Sequence, residues 1–165
     1  MIGKALALAL LLLAFPLPAD EPPAPAAPAA PALSAAGRRF LEPPRFAVVA
    51  TLNPDGGPLQ AVVWYALEGD AIVFNSRVGR RWPTNIGRDR HVSLTVADGY
   101  EYIEMRGEVD IDEDPVHGQE VIAGLTRRYE IDKKRADAQI AGFAKQSRVT
   151  FTLRPTRVFE RLSGK

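Results

Sequence analysis

Residues 45–76 read RFAVVATLNPDGGPLQAVVWYALEGDAIVFNS, and the fold turns on how this stretch is parsed. RFAVVATL and PLQAVVWYAL are rich in valine and aromatic residues, as strands are. Between them stands NPDGG, whose glycines supply the positive φ of a tight turn, so the two runs read as a β-hairpin. EGD makes the next tight turn and AIVFNS a third strand, so the whole stretch is expected to be a meander of three antiparallel strands. Farther along, HVSLTVA (91–97) reads as a fourth strand and DGYE as a turn. YIEMRGEVDI (102–111) alternates as a fifth strand until Gly107, where a bulge is expected. RVTFTLRPTRVFERL (148–162) closes the set as a sixth, with Pro155 breaking or bulging it.

Other segments carry helical signals. SAAGRRFLEPP (34–44) offers Ser34 as an N-cap, Phe40 and Leu41 as an apolar turn, and two prolines as a stop. In DEDPVHGQEVIAGLTRRYEI (112–131), Val116, Val121, Ile122, Leu125 and Tyr129 fall near helical spacing. Acids stand at its start and Arg127 and Arg128 towards its end, matching the helix dipole. DKKRADAQIAGFAKQ (132–146) is a more polar, weaker helix. Six strands with short helices predict a mainly β fold, a small six-stranded antiparallel barrel with helical excursions.

The chain has 165 residues, 46% of them hydrophobic and 25% charged, which suits one domain of modest core. A formal net charge of +1 argues against a nucleic-acid-binding surface spread over the whole domain. With no cysteine, disulfides, thiolate zinc sites and cysteine nucleophiles are excluded. His91 and His117 stand far apart without a ligand set around them, so no metal site is expected. They read as a strand-start and a helix-start residue. No nucleophile and base pair stands out, which leaves a hydrolase without support.

The first residues are of another kind. Residues 1–19 hold Lys4, an apolar run from Ala5 to Phe15, and LPA before Asp20, the order of a secretory signal peptide cut after Ala19. The run is shorter than the roughly 20 apolar residues that span a bilayer, so no stable membrane span is expected in the mature chain. Residues 20–36 are rich in proline and alanine and read as an extended spacer, leaving 37–165 as the folded domain.

SRVGRRWPTNIGRDRH, residues 76–91, sets Arg77, Arg80, Arg81, Arg88 and Arg90 against one acid, Asp89. Pro83 is tolerated only in a first helical turn, so a helix is expected to begin at Arg81 or Trp82. Its N-terminal N–H groups, the Ser76 hydroxyl and three arginines would then converge, the make-up of a phosphate or carboxylate site. Gly79 would let backbone approach a ligand closely, and Trp64, Tyr65 and Phe74 could supply flat surfaces. The alternative is a solvated charged face with Trp82 packed on the barrel.

These residues carry a resemblance. The segment RFAVVATL through HVSLTV, followed by YIEMRGEV, resembles the split β-barrel flavin and deazaflavin oxidoreductase superfamily that includes pyridoxamine phosphate oxidase, and within it the small F-420-dependent oxidoreductases. The likeness covers roughly residues 40–159. It implies a homodimer with the cofactor, F-420 or alternatively FMN, in a groove at the subunit interface. Ser76, Arg77, Arg80 and Arg81 match the family segment that holds the cofactor's phosphate-bearing tail, and Asn85 its N-x-x-R-D continuation. Gln60, Val62 and Trp64 match the strand that lies along the ring system. Trp82 stands where many members have lysine, which leaves the phosphate to the arginines and the indole to pack against tail or ring.

The activity implied is hydride transfer to a C=C or C=N bond of a small organic substrate, with Tyr100 and Tyr102 as the candidates for proton donation. An FMN enzyme of the same fold, or a flavin- or haem-binding carrier without enzymatic activity, are the alternatives. A cofactor reduced inside the cell favours a cytosolic protein, with Leu33 as a candidate downstream start, against export directed by residues 1–19.

Overall fold

The computed structural model describes residues 33–163; the signal-like segment and most of the spacer lie outside the described residues. The end of the stretch read as spacer is already part of the fold. Leu33 is buried, and the Ser34 hydroxyl accepts from the Gly37 N–H to cap α1 (Ala35–Leu41), which buries Phe40 and Leu41.

The strands are β1 (Ala47–Leu52), β2 (Pro58–Val63), β3 (Tyr65–Glu68), β4 (Ala71–Arg77), β5 (His91–Asp98), β6 (Glu101–Asp112) and β7 (Arg148–Arg161). They form one antiparallel sheet in the order β2-β1-β5-β6-β7-β4-β3. The described residues form seven strands where six were expected, because PLQAVVWYAL divides at Trp64. β2 pairs with β1, while β3 pairs with β4. The expected meander is thus two hairpins at opposite edges of the sheet.

That division closes the barrel. Laid flat at about 4.8 Å per strand, β2 and β3 would stand roughly 29 Å apart. Yet Trp64 alone separates them in sequence, a reach of about 7 Å from Val63 to Tyr65. The sheet must curl until its outermost strands meet at Trp64, and the result is the mainly β, antiparallel split barrel that the resemblance implied. Val49, Leu94 and Met105 fill one side of the interior and Phe74, Phe151 and Leu153 the other.

The expected bulge lies between Arg106 and Gly107. Arg106 pairs with Arg157 but Gly107 with Pro155, so Thr156 is the extra residue and β7 runs on through its proline. A Cβ on Gly107 would lie 2.6 Å from the Arg154 carbonyl oxygen, which only glycine avoids.

Helix α2 (Arg81–Arg88) starts where Pro83 required and puts the buried Trp82 and Ile86 into the barrel end. The Trp82 ring centroid is 5.9 Å from that of Phe74 and 5.3 Å from that of Phe151. α3 (Pro115–Tyr129) and α4 (Lys133–Phe143) follow β6, and α3 packs across β4 and β7. His91 opens β5 and His117 lies in the first turn of α3, as expected.

Candidate functional site

The register of β4 against β7 places Asn75 opposite Thr150 and Arg77 opposite Arg148. Strand alternation turns these side chains away from the Phe74–Phe151 core, towards the face that α3 covers. Gly118 lets α3 come that close: a Cβ there would lie 3.1 Å from the Arg148 Cβ and 3.2 Å from its carbonyl oxygen. The Gly118 carbonyl accepts from Asn75 Nδ2 at 3.1 Å, and the same nitrogen donates to Thr150 Oγ1 at 3.0 Å.

Arg148 is held inside this arrangement, 6% exposed. Its Nε donates to Asn75 Oδ1 and its Nη1 to Gln146 Oε1, each at 2.8 Å, and its guanidinium lies 5.0 Å over the Phe143 ring. These acceptors are neutral, and no carboxylate of the described residues forms an ion pair with it. Burial foremost, and then the like charges of Arg80 and Arg77, pushes its pKa down to about 10, so it is still a cation at neutral pH.

A cleft of about 180 Å³ opens beside it, lined by residues that include Val62, Trp64, Arg80, Trp82, Phe143 and Arg148. Trp64 forms its wall. The indole stacks on Tyr129 with centroids 5.2 Å apart and planes 11° from parallel, and meets Phe143 edge-on at 6.5 Å. Tyr129 is fixed in turn, since its hydroxyl donates to the Arg45 carbonyl and accepts from the Tyr65 N–H at 3.2 Å. Burial raises the pKa of that phenol, keeping it a neutral donor.

The structure therefore brings together Val62, Trp64, Arg80 and Trp82 of the residues named from the sequence. Arg77 and Arg81 are exposed beside them. Among the described residues, Arg77, Arg80 and Arg81 have no hydrogen-bond or ion-pair partner for their guanidinium groups. Gly79, at φ +85°, makes the turn that delivers the chain from β4 to α2, a conformation that side-chain-bearing residues avoid.

Other named residues lie elsewhere. Ser76 is fully buried, its hydroxyl donating to the Arg77 carbonyl at 3.2 Å. Asn85 is buried against β1, donating to Thr51 Oγ1 at 3.2 Å and to Asn53 Oδ1 at 3.1 Å. Gln60 is exposed on β2 opposite Ala50. Tyr100 projects into solvent from the β5–β6 turn and Tyr102 leans on Phe159, their centroids 5.7 Å apart; neither lines the cleft.

The sequence reading missed Arg148, Asn75 and Phe143. Arg148 had a faint signal: an arginine opening a strand whose next residues are wholly apolar or threonine. Only the β4–β7 register places it beside Arg77.

Among the described residues, no helix covers the outer face made by β2, β1, β5, β6 and the end of β7. Val62, Val48, Thr95, Glu104 and Phe159 form one continuous cross-strand row on it, and Val62 is 68% and Phe159 54% exposed. No helix of the described residues is long and apolar enough to cross a membrane.

Residues 33–161 match the family model described as pyridoxamine 5'-phosphate oxidase. Among solved structures the chain is similar to an F420 reductase, at 30% identity and a TM-score of 0.59, over 74% of this chain and 94% of that one. A conserved hypothetical protein from Mycobacterium tuberculosis shares the fold at 24% identity and a TM-score of 0.66, over 80% of this chain and 86% of that one. So does the haem storage protein of Vibrio cholerae, at 17% identity and a TM-score of 0.60, over 78% and 94%. No curated protein matches the chain.

Proposed function

We propose, from the premise that the chain belongs to the pyridoxamine 5'-phosphate oxidase family, that it is an F-420-dependent oxidoreductase acting on a C=C or C=N bond of a small organic substrate. The observation that carries this reading is the set of three arginines, Arg77, Arg80 and Arg81, without partners among the described residues, at the mouth of a cleft walled by Trp64. A single phosphate needs fewer cations than stand here, and an acidic, extended cofactor tail would use them all. The 30% identity to an F420 reductase supports the same choice.

The residues present fit such a group. Arg80 and Arg81 would hold its acidic tail at the start of α2, where the backbone N–H groups also favour negative charge. Trp64, braced by Tyr129 and Phe143, would lie along the ring system and exclude water from one side of it. The bound deazaflavin supplies the hydride chemistry, which asks the protein for position and a dry surface more than for an acid or base.

One chain offers only part of that surface. Pockets for ligands of this size run to about 300–1,000 Å³, against about 180 Å³ in the cleft. The exposed row through Val62, Val48 and Phe159, with Thr95 and Glu104 between them, is where a second copy would dock and supply the other wall. We therefore place the working site at the interface of a homodimer. Sedimentation should show a dimer at micromolar concentration; a monomer that binds cofactor at full strength contradicts this part of the reading.

Fluorescence titration with F-420 and FMN side by side, joined to an absorbance spectrum of the purified protein, tests the whole. F-420 binding at least tenfold tighter than FMN is the expected result. The reverse ratio makes the protein an FMN enzyme, and a haem spectrum with neither cofactor bound makes it a carrier.

A further inference from the structure

The proposed function uses the exposed arginines of the β4–α2 junction and leaves the buried one without a task. Arg148 lies directly across the ladder from Arg77 on the same face. Like charges in that relation destabilise a sheet. Arg80 adds a third positive charge close enough to act on it. Each hydrogen bond that the Arg148 side chain makes among the described residues goes to a neutral amide oxygen, of Asn75 or Gln146. A buried cation is ordinarily paired with an acid, because desolvating it alone is expensive. Here Gly118 and α3 hold it in place at the inner end of a cleft, with Phe143 beneath the guanidinium plane.

We propose that Arg148 is the base of an oxyanion subsite, with Arg80 at its entrance, that takes one phosphate or carboxylate group from a bound molecule. The acid that the chain withholds from Arg148 is supplied by the ligand. Of the five guanidinium N–H groups, two are used within the described residues, on Nε and Nη1; the remaining one on Nη1 and two on Nη2 include a pair that suits a two-oxygen group, and the small cleft leaves room for one such group between Trp64, Trp82 and Phe143. The source is either the cofactor's own phosphate, in which case the inference rests on the reading above, or a carboxylate on the substrate. The recognition chemistry is the same for both.

The test is thermal unfolding of the full chain in inorganic phosphate against sodium chloride of equal ionic strength, in three proteins. Phosphate should raise the midpoint of the unsubstituted protein by a few degrees, as a ligand of the folded state does. Arg148→Gln should abolish that rise. Gln146→Glu puts a carboxylate where an acceptor already lies 2.8 Å from Nη1. It should raise the midpoint in chloride and also abolish the response to phosphate, so it decides the matter even where Arg148→Gln fails to fold. An unsubstituted protein indifferent to phosphate, or a Gln146→Glu protein that responds as fully, overturns the subsite.

A second arm identifies the source. Binding of F-420 and FMN is compared with that of their phosphate-free ring-and-ribityl counterparts, and benzoate serves as a carboxylate probe. If Gln146→Glu weakens only the phosphorylated forms tenfold or more, the occupant is the cofactor phosphate. If it weakens only benzoate, the occupant is a substrate carboxylate. No change in any of them overturns the subsite. Should the unsubstituted protein bind neither cofactor, the reading above fails while the phosphate arm still judges Arg148.

Discussion

Arg80 and Arg81 stand at the N-terminal end of α2 without partners among the described residues, whereas Arg88 at the other end donates to the Leu52 carbonyl and to Asn85 Oδ1. An eight-residue helix separates them by about 12 Å. The helix dipole favours cations at the C-terminal end and opposes them at the N-terminal end. Arg88 therefore serves the fold, while Arg80 and Arg81 burden it unless an anion arrives. Of the five arginines that look alike in SRVGRRWPTNIGRDRH, Arg80 and Arg81 differ from Arg88 by which end of one helix they occupy, while Arg77 ends β4 and Arg90 lies between α2 and β5.

The largest effect should come from the N-terminal end. The paired substitution Arg80→Ala and Arg81→Ala should cost about 3 kcal/mol of cofactor affinity, two charged hydrogen bonds at about 1.5 kcal/mol each. Urea unfolding should show stability unchanged or slightly raised. The remaining affinity should depend less on ionic strength than that of the unsubstituted protein, because screening acts on the exposed charges removed. Undiminished binding in the paired variant would make the two ends of α2 equivalent and end the distinction.

Next in size is Asn85→Ala. It leaves Thr51 and Asn53 without their buried donor and should lower stability by about 2 kcal/mol, with cofactor affinity close to unchanged in the fraction that is folded. This sharpens the comparison, since family resemblance aligns Asn85 with the cofactor-binding segment while its bonds tie α2 to β1. Lost affinity at full stability would return Asn85 to the site.

Arg88→Ala should cost about 1 kcal/mol of stability, the value of an ordinary hydrogen bond, and leave binding alone. The smallest effect concerns the turn after α2, where the Asp89 carboxylate accepts from the backbone N–H of His91 at 3.0 Å and meets its Nδ1 at 2.8 Å. The hydrogen bond to Asp89 raises the His91 pKa above 6.5. The charged imidazole therefore adds stability that is fully present below pH 6.5 and fades as pH rises through the raised value. Asp89 is held below its ordinary range and does not titrate in that window. A slight fall in melting temperature across it is expected, and His91→Gln should remove the fall.

Much of the fold was legible because its signals are local. NPDGG and EGD announce turns, Ser34 caps its helix, Pro83 dates the start of α2 to within a residue, and Gly107 marks the bulge. What misled was PLQAVVWYAL, whose composition is that of a strand from end to end. Nothing in it tells Val63 that its partner is Ala47 or Tyr65 that its partner is Phe74. The site was legible in the same proportion. Arg80 and Trp82 could be named from one crowded junction and Trp64 from the strand before it, but Ser76 and Asn85 point elsewhere because strand alternation and helix phase turn them inward.

By itself the sequence determined which segments extend, which coil and where they turn, since those preferences arise within a few residues of backbone. It also determined that charge gathers near residue 80. The tertiary structure alone decided that the sheet closes at Trp64, that the arginine run splits between two ends of a helix, and that Arg148, far along the chain, comes to lie across from Arg77. Pairing between distant strands depends on the curl of the whole sheet and on which face each strand must bury. The partner of a buried charge is therefore set by the closed barrel and not by its neighbours in the chain.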